Sequence, residues 1–558
     1  MAPLGSIKMS ATDRQIIKRL LLFLSVVFLF LYSIRRRKNF LVINSQTLEG
    51  RWKGVPSVLH SEASVSTIVK QLEEELPYLL PFRRYTGPAT GADKRYSHSV
   101  IPTWVVTPAN SSCIHRFFDT SPFSPSGRYL GLTCLKKGAV SEERDIQPLA
   151  PADIVIVDLL LGTQRIVYES RGWDSQTGAH VQWGRNDREL YFNDVVNGSV
   201  VASISLNIFT NTTRVMSCPV YQVSPDGSKA ISPDLTKIKF TQSGYGVHLR
   251  DASKNHDAPE DDGIYITDLK KNTCRLLVSL KELVDRIPNK LIQKCNRRRS
   301  SSGSTFTYPP TYGFHTKWSS DGKMIMFVVR TLETLSGGIQ KTVSQLMDDY
   351  HKVRRQHLFT MLVDGSDVKY IQSWSSDKYV PLMCDGKNGT MNPDNQRDGN
   401  HPNWIPGTHK ISMNIEVVKR RKSSNELEII NDIILTKQWS VNIWDADYNF
   451  TDNKFRNTVA YDKGSGHPNF GLGGRYAILD VYPKERKFFN HLEDFSVPIR
   501  LVDTVEKKEV WLMQLQTERS HGSSWGSITG ISDLYGARSR NAWRCDPHVA
   551  FDKSFQVG

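Results

Sequence analysis

The sequence has few cysteines for its length, and they lie far apart. Seven occur in 558 residues: Cys113, Cys134, Cys218, Cys274, Cys295, Cys384 and Cys545. Small domains that depend on disulfides carry a denser set, so that class is excluded, while one or two bridges remain compatible with the spacing. The chain also lacks any nucleic-acid motif and any basic stripe interleaved with aromatic residues. Nucleic acid is therefore not expected as a partner, although the formal net charge is +15.

Long hydrophobic runs are almost absent, and the exception lies near the N-terminus. Residues 20–34 read LLLFLSVVFLFLYSI, with basic residues on both sides. No small-residue cleavage site follows, which favours an uncleaved signal anchor over a cleaved signal peptide. At about 1.5 Å per residue the run is near the short limit for a bilayer span, so a thin membrane of the early secretory pathway suits it best. The predicted order is a short tail (1–19), a transmembrane signal anchor (20–34) and a stalk with a short helix (35–94).

The anchor predicts where the rest of the chain lies. Both flanks are basic, so charge does not fix the orientation, but a large C-terminal domain behind a single anchor is usually luminal. Five sequons agree with that placement: Asn110, Asn197, Asn211, Asn388 and Asn449. We therefore expect a single-pass membrane protein of the secretory pathway (endoplasmic reticulum, Golgi or cell surface) with a luminal or extracellular C-terminal domain. The alternative is an anchored scaffold that faces the cytosol, which requires the sequons to be unused.

In place of hydrophobic runs, the sequence has a repeat. A short strand, a polar turn and an alternating strand recur seven times around these core positions: Phe123, Trp183, Val223, Trp318, Trp404, Phe470 and Phe551. A further strand pair such as GIYITDLKKNTCRLLVSL lies between copies. Four strands per unit, at a period of 40 residues or more, are typical of a β-propeller blade. The pattern predicts an all-β, seven-bladed propeller over 95–558; several unrelated β-domains are the alternative.

Two features modify the regular repeat. Insertions are predicted near 283–312, which is basic and rich in Ser, Gly and Pro, and near 331–357, which has helical periodicity. The seventh copy ends at Gly558 without its outer strands. A ring must close to remove its edge strands, so residues 95–118 are expected to donate strands to the last blade, with VIPTWVVTP (100–108) as the first choice. The alternative is that the chain is incomplete.

Histidine recurs in register with the core positions. In five copies it stands three residues before the core aromatic: His180, His315, His401, His467 and His548. Inner strands of a propeller surround one axis, so these imidazoles are expected to converge into a metal or acid–base site. The alternative is that each histidine hydrogen-bonds its neighbours at the channel. Cys545 and His548 in RCDPH add a candidate ligand pair; a thiolate with imidazoles would favour zinc, and imidazoles with oxygen ligands would favour manganese or calcium.

Several stretches are similar to a known family of propellers. DGNHPNWIP, GSGHPNF followed by GRYAILDVYP, and RNAWRCDPHVAF resemble the late blades of seven-bladed propeller polysaccharide lyases, the oligogalacturonate lyase and ulvan lyase groups and their relatives. FFDTSPFSPSGRYL, GYGVHLRD and APEDDGIYITDL look like the earlier blades of those relatives. The resemblance covers about residues 110–558 and implies the propeller fold together with chemistry on uronic acids.

The resemblance implies β-elimination. A base removes the C5 proton, a cation or metal stabilises the carboxylate, and an acid assists departure of the C4 oxygen. By blade position, His401 and His467 fall where the pectic enzymes hold their metal, and His315 falls where their base lies. The ulvan enzymes instead imply a catalytic set of His180, Tyr245 and Arg250. Where the pectic enzymes have further Gln and His ligands, this chain has different residues: Asp462, Lys463 and Ser465.

Two functions follow as expectations. The first is a membrane-anchored, luminal or extracellular propeller that acts on an acidic, uronate-containing polysaccharide by β-elimination, with a divalent metal. The second is a propeller that binds a glycan or a protein without turnover and whose histidine cluster is structural, because this architecture hosts both kinds of function. The sequence names neither the sugar nor the oligomeric state.

Overall fold

The computed structural model describes part of the chain, all of it within the compact unit Pro56–Gly558. The described residues are 83–84, 104–107, 112–135, 150–242, 244–249, 251–288, 308–334, 352–375, 398–421, 434–446, 458–463, 466–481, 496–516 and 550.

These residues form six four-stranded antiparallel sheets, here called blades 1 to 6. Within each blade the strands pair in chain order, as hairpin connections dictate. Blade 1 contains β3 (Ser112–Ile114), β4 (Tyr129–Leu135), β5 (Ala152–Asp158) and β6 (Thr163–Ser170). Blade 2 contains β7 (Gln182–Trp183), β8 (Glu189–Val196), β9 (Val200–Asn207) and β10 (Thr212–Val215). Blade 3 contains β11 (Gln222–Val223), β12 (Lys229–Ser232), β13 (Gly263–Asp268) and β14 (Thr273–Ser279).

The later blades have longer strands. Blade 4 contains β15 (Thr311–Trp318), β16 (Met324–Thr334), β17 (Lys352–Leu362) and β18 (Lys369–Ser375). Blade 5 contains β19 (Asp398–Trp404), β20 (Lys410–Arg421), β21 (Ile434–Asp445) and β22 (Thr458–Tyr461). Blade 6 contains β23 (Asn469–Phe470), β24 (Tyr476–Leu479), β25 (Ser496–Asp503) and β26 (Lys508–Gln516). A separate pair joins β1 (Arg83–Arg84) to β2 (Trp104–Val105).

Helices are short and local in the described part of the chain. Helix α1 spans Leu235–Ile238, helix α2 spans Leu280–Asp285, and a 3-10 turn spans Leu472–Gly474. The Asp234 side chain caps α1 by accepting from the backbone N–H of Thr236. The Ser279 side chain caps α2 by accepting from the N–H of Glu282, the Ser-x-x-Glu spacing that satisfies the first backbone donors of a helix.

The first strands of the six blades surround one common axis. Inner-strand residues from all six blades line a single cavity: Phe123, Trp183, Val223, Trp318, Trp404 and Asn469. Middle strands such as β5 (ADIVIVD) are buried on nearly every residue, because each blade is covered on both faces by its neighbours. Between blades 3 and 4, for example, Ile264, Ile325 and Phe327 share one apolar cluster. The all-β propeller predicted from the repeat is confirmed.

Tryptophan side chains join successive blades. The indole N–H of Trp183 donates to the Pro122 carbonyl of blade 1 at 2.9 Å, and that of Trp404 donates to the Lys317 carbonyl of blade 4 at 3.1 Å. Blade 3 has a valine at the same position, and there the Gln182 side chain of blade 2 accepts from the Val223 N–H at 3.0 Å. In blades 2 and 5 the core tryptophan therefore also fixes the inner strand to the blade before it.

Part of the region 95–118, which was expected to donate strands to the last blade, belongs to blade 1 instead. Residues 112–114, within the predicted donor region 95–118, belong to blade 1, where Cys113 stands opposite Cys134 on β4. The inner strand of blade 1 is split, since Phe123 returns to bridge Leu130 after an excursion of the chain. Strand β2 does form within 100–108, and its partner β1 falls in the predicted stalk. Only Ala550 of the seventh copy, 548–557, is among the described residues, so the seventh blade stays a prediction.

The predicted insertion near 331–357 is narrower than its sequence suggests. Strands β16 and β17 continue as a ladder out to Thr334 opposite Lys352. The flanks of the helical pattern are therefore strand, because a long hairpin satisfies the backbone without a break; 335–351 lie outside the described residues. Most of 283–312 lies outside them too, apart from α2 and the start of β15. In the part of the chain that the structure describes, no helix has the length and apolar character to cross a bilayer, and the predicted anchor (20–34) is not in that part.

Two disulfides form. Cys113–Cys134 joins β3 to β4 inside blade 1. Cys218–Cys274 ties the segment between blades 2 and 3 to the outer strand β14. The other three cysteines lie outside the described residues.

Candidate functional site at the propeller hub

Four of the predicted histidines lie together at the hub, in what we call the histidine layer: His180, His315, His401 and His467. Three of them hold left-handed backbone conformations, with φ of 56° for His180, 45° for His315 and 55° for His401. In β15 and β19 this conformation coincides with an interruption of the ladder, which turns the imidazole out of the regular pleat. A non-glycine residue adopts that region at a cost, so the surrounding structure must hold it there.

Blades 5 and 6 bring two imidazoles into contact. The ring centroids of His401 and His467 are 4.0 Å apart. The Nδ1 of His401 donates to the Gly466 carbonyl at 2.8 Å, and the Nδ1 of His467 donates to the Asp480 carboxylate at 2.8 Å. Asp480 also accepts from the His467 backbone N–H at 2.5 Å. These bonds fix both rings and leave each Nε2 directed away from its anchoring partner.

The space inside the histidine layer is filled by a segment of blade 1. Residues 115–121 (HRFFDTS), here called the plug, leave the split inner strand and enter the hub. The ring of Phe117 stacks on His315 at 5.2 Å between centroids and lies edge-on to His467 at 5.6 Å. Phe118 lies 5.1 Å from His467. As a result the four imidazoles are between 0% and 7% exposed, and the layer is closed to solvent.

A charged triad holds the plug in place. The Arg116 guanidinium donates to one Asp119 oxygen at 2.6 Å, and the Lys317 amine of blade 4 lies 2.7 Å from the other. Arg116 also donates to the Thr120 hydroxyl, and Lys317 donates to the Pro402 carbonyl at 2.8 Å. Burial alone would raise the pKa of Asp119, but the two cations lower it to about 2. Burial lowers the pKa of Lys317 to about 8, against the attraction of Asp119. Near neutral pH the triad carries two positive charges and one negative charge.

His180 and His315, the other two histidines of the layer, are neutral at physiological pH. Burial, reinforced by Arg116, lowers the pKa of His180 to about 3. Burial and the nearby cations, Lys317 first, hold the pKa of His315 well below its usual value. His180 stands 3.9 Å from the Asp174 carboxylate, but a neutral ring forms no ion pair there.

The structure places a different tyrosine on His315 from the one that the sequence singled out. The Tyr221 hydroxyl and the His315 Nδ1 are 2.5 Å apart, and the Arg116 guanidinium lies 4.7 Å from the centre of the Tyr221 ring. Tyr245 is also buried at the hub, with its ring centroid 5.9 Å from that of His315. Arg250 lies outside the described residues. The signal for Tyr221 was its position two residues before a core position, on the strand that lacks a histidine.

The described residues do not assemble a complete metal site. His401 and His467 have the hydrogen-bonded support that metal-binding imidazoles usually have. No group of three His, Cys, Asp or Glu side chains able to hold a metal occurs within the described ranges, and Phe117 and Phe118 pack on the two rings. Cys545 and His548, the other predicted ligands, lie outside those ranges.

A cavity of about 120 Å³ opens on the axis beyond the plug, and we call it the axial cavity. Its walls include three tryptophans, Trp183, Trp318 and Trp404, and hydroxyl-bearing residues such as Ser319 and Ser320. Residues that immediately precede core positions contribute amides: Gln182, Gln222, Asn403 and Asn469. Asp119 and Thr120, from the plug, complete the lining nearest the triad. The sequence expectations did not include this cavity lining. Its signal in the sequence is the amide that recurs just before the core position.

The amides differ in how firmly they are held. Gln182 donates to the His180 and Tyr221 carbonyls and accepts from the Val223 N–H, so one local bond and two bonds to the next blade occupy its amide. Gln222 accepts from the Trp318 N–H at 2.7 Å and donates to the Thr120 hydroxyl at 3.3 Å. The cavity is therefore a preformed pocket with aromatic walls and fixed polar groups, the usual make-up of a small-ligand site.

Comparison with known proteins gives structural neighbours only. No family model matches the sequence, and no curated protein shows significant similarity to it. The chain is similar in structure to an oligogalacturonate lyase in complex with manganese, with 12% identity, a TM-score of 0.42 and coverage of 81% of this chain and 88% of that one. An oligogalacturonate lyase from Vibrio parahaemolyticus gives 11% identity, a TM-score of 0.42 and coverage of 80% and 87%. A TolB protein from Agrobacterium tumefaciens gives 15%, 0.29, and 66% and 90%. At these identities and TM-scores the neighbours do not bear on activity, and the propeller fold follows from the chain's own sheets.

Proposed function

We propose that this chain binds a uronate-containing polysaccharide at the axial cavity and that the histidine layer is structural. The proposal rests mainly on the position of the cavity. A pocket walled by tryptophans, amides and hydroxyls lies directly against the charged triad, which has an excess of positive charge. Sugar rings stack on aromatic faces and offer hydroxyls to amides, and a carboxylate gains from nearby positive charge. The histidines cannot reach such a ligand while the plug covers them.

Binding to defined oligosaccharides tests this proposal. The purified full-length protein in detergent is titrated calorimetrically with oligogalacturonate, an ulvan-type oligomer and a glycosaminoglycan oligomer. We expect at least one to bind, and Asn403→Ala to weaken it about tenfold by removing one polar contact. The matched control is Gln164→Ala, because Gln164 lies exposed on β6 of blade 1, away from the cavity lining. If folded protein binds none of the uronate oligomers, the proposal is overturned.

β-Elimination is the second candidate function, and one contact favours it. His315 and Tyr221 share a hydrogen bond beside Arg116, which groups a base, an acid and a cation of the kind the reaction uses. All three are buried, so turnover would require the plug to move. Uronate oligomers incubated with the protein would then develop the ultraviolet absorbance of an unsaturated uronate, and Tyr221→Phe would abolish it. A complete lack of absorbance with a ligand that binds would leave the binding function alone.

The cellular setting is part of the proposal. We infer a luminal or extracellular propeller on the membrane anchor at 20–34, supported by two disulfides, which oxidising compartments favour. Two of the sequons, Asn197 between β8 and β9 and Asn211 between β9 and β10, lie at exposed turns where a glycan fits. Treatment with a glycosidase specific for N-linked glycans should lower the mass, and Asn197→Gln with Asn211→Gln should remove part of the shift. An unshifted mass in protein from a eukaryotic host would contradict this setting.

A further inference from the structure

The plug and the axial cavity share residues, and this continuity carries an inference about ligand charge. Asp119 and Thr120 belong to the plug and line the cavity, while Arg116 bonds to both of them. Lys317 reaches the same carboxylate from blade 4. Its Nζ also bonds to Pro402, the residue before the cavity-lining Asn403. The charged triad is thus built directly into the cavity floor.

Among the residues that the structure describes, no cation lines the cavity. Asp119 is the only charged residue among the described residues that line it, and its carboxylate is fully buried against Arg116 and Lys317. Within this described lining, attraction for an anionic ligand therefore comes through the floor. Two positive charges against one negative charge leave an excess of one, in a region where low polarity strengthens electrostatic interactions.

We propose that the Arg116–Asp119–Lys317 triad sets the charge preference of the axial cavity, so that an acidic sugar is favoured over its neutral equivalent. This inference rests on the proposed function. An excess charge within several ångströms of the ligand carboxylate, in a partly screened interior, changes relative affinity on the order of tenfold per unit charge. The sugar hydroxyls and the tryptophan walls contribute equally to both ligands and cancel in the comparison.

Three variants separate charge from structure. The measured quantity is the ratio of dissociation constants for a methyl-esterified oligogalacturonate and the free acid, which differ in the carboxylate charge and by one methyl group per sugar. The methyl contribution is common to all protein variants and cancels when their ratios are compared. Lys317→Met removes the excess charge and should lower the ratio about tenfold. Asp119→Asn removes the negative charge but also the attraction that keeps Lys317 protonated, so its ratio should be at least the wild-type value. The double variant keeps Arg116 alone, so its excess matches the wild type and its ratio should return to the wild-type value. Replacing both partners of a buried pair is also better tolerated than replacing one.

The wild-type protein provides a second measurement that needs no variant. Between pH 7 and pH 9 Lys317 loses its proton, so the ratio should fall across that interval. The groups that face Lys317 do not change charge there: Asp119 is already ionised, His315 is already neutral, and Arg116 stays cationic. The Pro402 carbonyl is uncharged.

The outcomes separate the two proposals. If neither the acid nor the ester binds, the proposed function fails, and this inference fails with it. If both bind but the ratio is the same in folded variants and across pH, the function stands and the inference is overturned. If the single variants do not fold, the pH series on the wild-type protein still decides the question.

Discussion

The histidine layer and the axial cavity lie three residues apart on the same inner strands, yet they have opposite properties. The layer is closed to solvent and packed with the rings of Phe117 and Phe118. The cavity is partly open, and amides and hydroxyls lie between its tryptophans. A repeat brings equivalent residues to one axis, but whether they meet a ligand or one another depends on what else enters the hub. Here the plug decides it, and convergence alone does not create a reactive site.

The largest expected effect comes from truncating the Phe117 side chain, at the apolar end of the plug. Phe117→Ala should lower the free energy of unfolding by about 3–5 kcal/mol, because it leaves a cavity among buried rings. Thr120→Ala, at the axial-cavity end of the plug, should cost only about 1 kcal/mol, the value of the hydrogen bonds of its hydroxyl. Urea unfolding followed by tryptophan fluorescence measures both. Equal losses would mean that the two ends of the plug are packed alike and would break the comparison.

A smaller effect distinguishes a structural histidine from a metal ligand. His467→Ala removes the bond to Asp480 and the ring contact with His401, which should cost about 2–3 kcal/mol of unfolding free energy. Elemental analysis of the same preparations should show equal divalent metal content in the variant and the wild type.

The control for that experiment is His409→Ala. His409 is partly exposed and pairs with Asp321 at the surface, so its loss should cost less than 1 kcal/mol. A stoichiometric ion in the wild type that disappears only in the His467 variant would restore the metal interpretation and refute the structural one.

Acid should destabilise the histidine layer. His180 and His315 have folded-state pKa values far below 6.5, so the unfolded state binds more protons as the pH falls. Each then costs about 1.4 kcal/mol of stability per pH unit below 6.5. Asp174 acts in the opposite direction, because burial raises its pKa to about 6 and the folded state gains its proton first. These three groups together should cost a net of about 2 kcal/mol between pH 6.5 and pH 5. His357, whose pKa burial lowers to about 3, adds a further loss of about 1.5 kcal/mol. Unfolding at each pH measures the total, and His180→Gln should reduce it. Stability that rises over this range would show that the layer is solvated.

The sequence predicted the repeat better than it predicted the hub. Alternating strands, turn residues and core aromatics such as Trp183 and Trp318 mark each blade locally, so the propeller could be predicted from them. The register also predicted that His180, His315, His401 and His467 converge, whereas His548 lies outside the described residues. It could not predict the plug, because residues 115–121 depart from the repeat and their burial depends on tertiary contacts with blades 3 to 6. The amides beside the core positions recur in the sequence. Their role as lining of the axial cavity can be recognised only once that cavity is distinguished from the histidine layer.

The blade-to-blade tryptophan bonds give the smallest and most local test. Trp183→Phe keeps most of the apolar wall and removes the indole N–H that donates to Pro122, leaving that carbonyl without this partner. We expect a loss of about 1 kcal/mol in unfolding free energy, the usual net value of one hydrogen bond. Ligand affinity at the axial cavity should change by less than the Asn403→Ala effect, because the aromatic face remains. Val223 stands at the same position in blade 3. There the side chain of Gln182, from blade 2, accepts from the Val223 N–H, so a blade can be fixed without an indole. A loss of several kcal/mol in Trp183→Phe would mean instead that the indole bond itself determines how the inner strands are ordered around the axis.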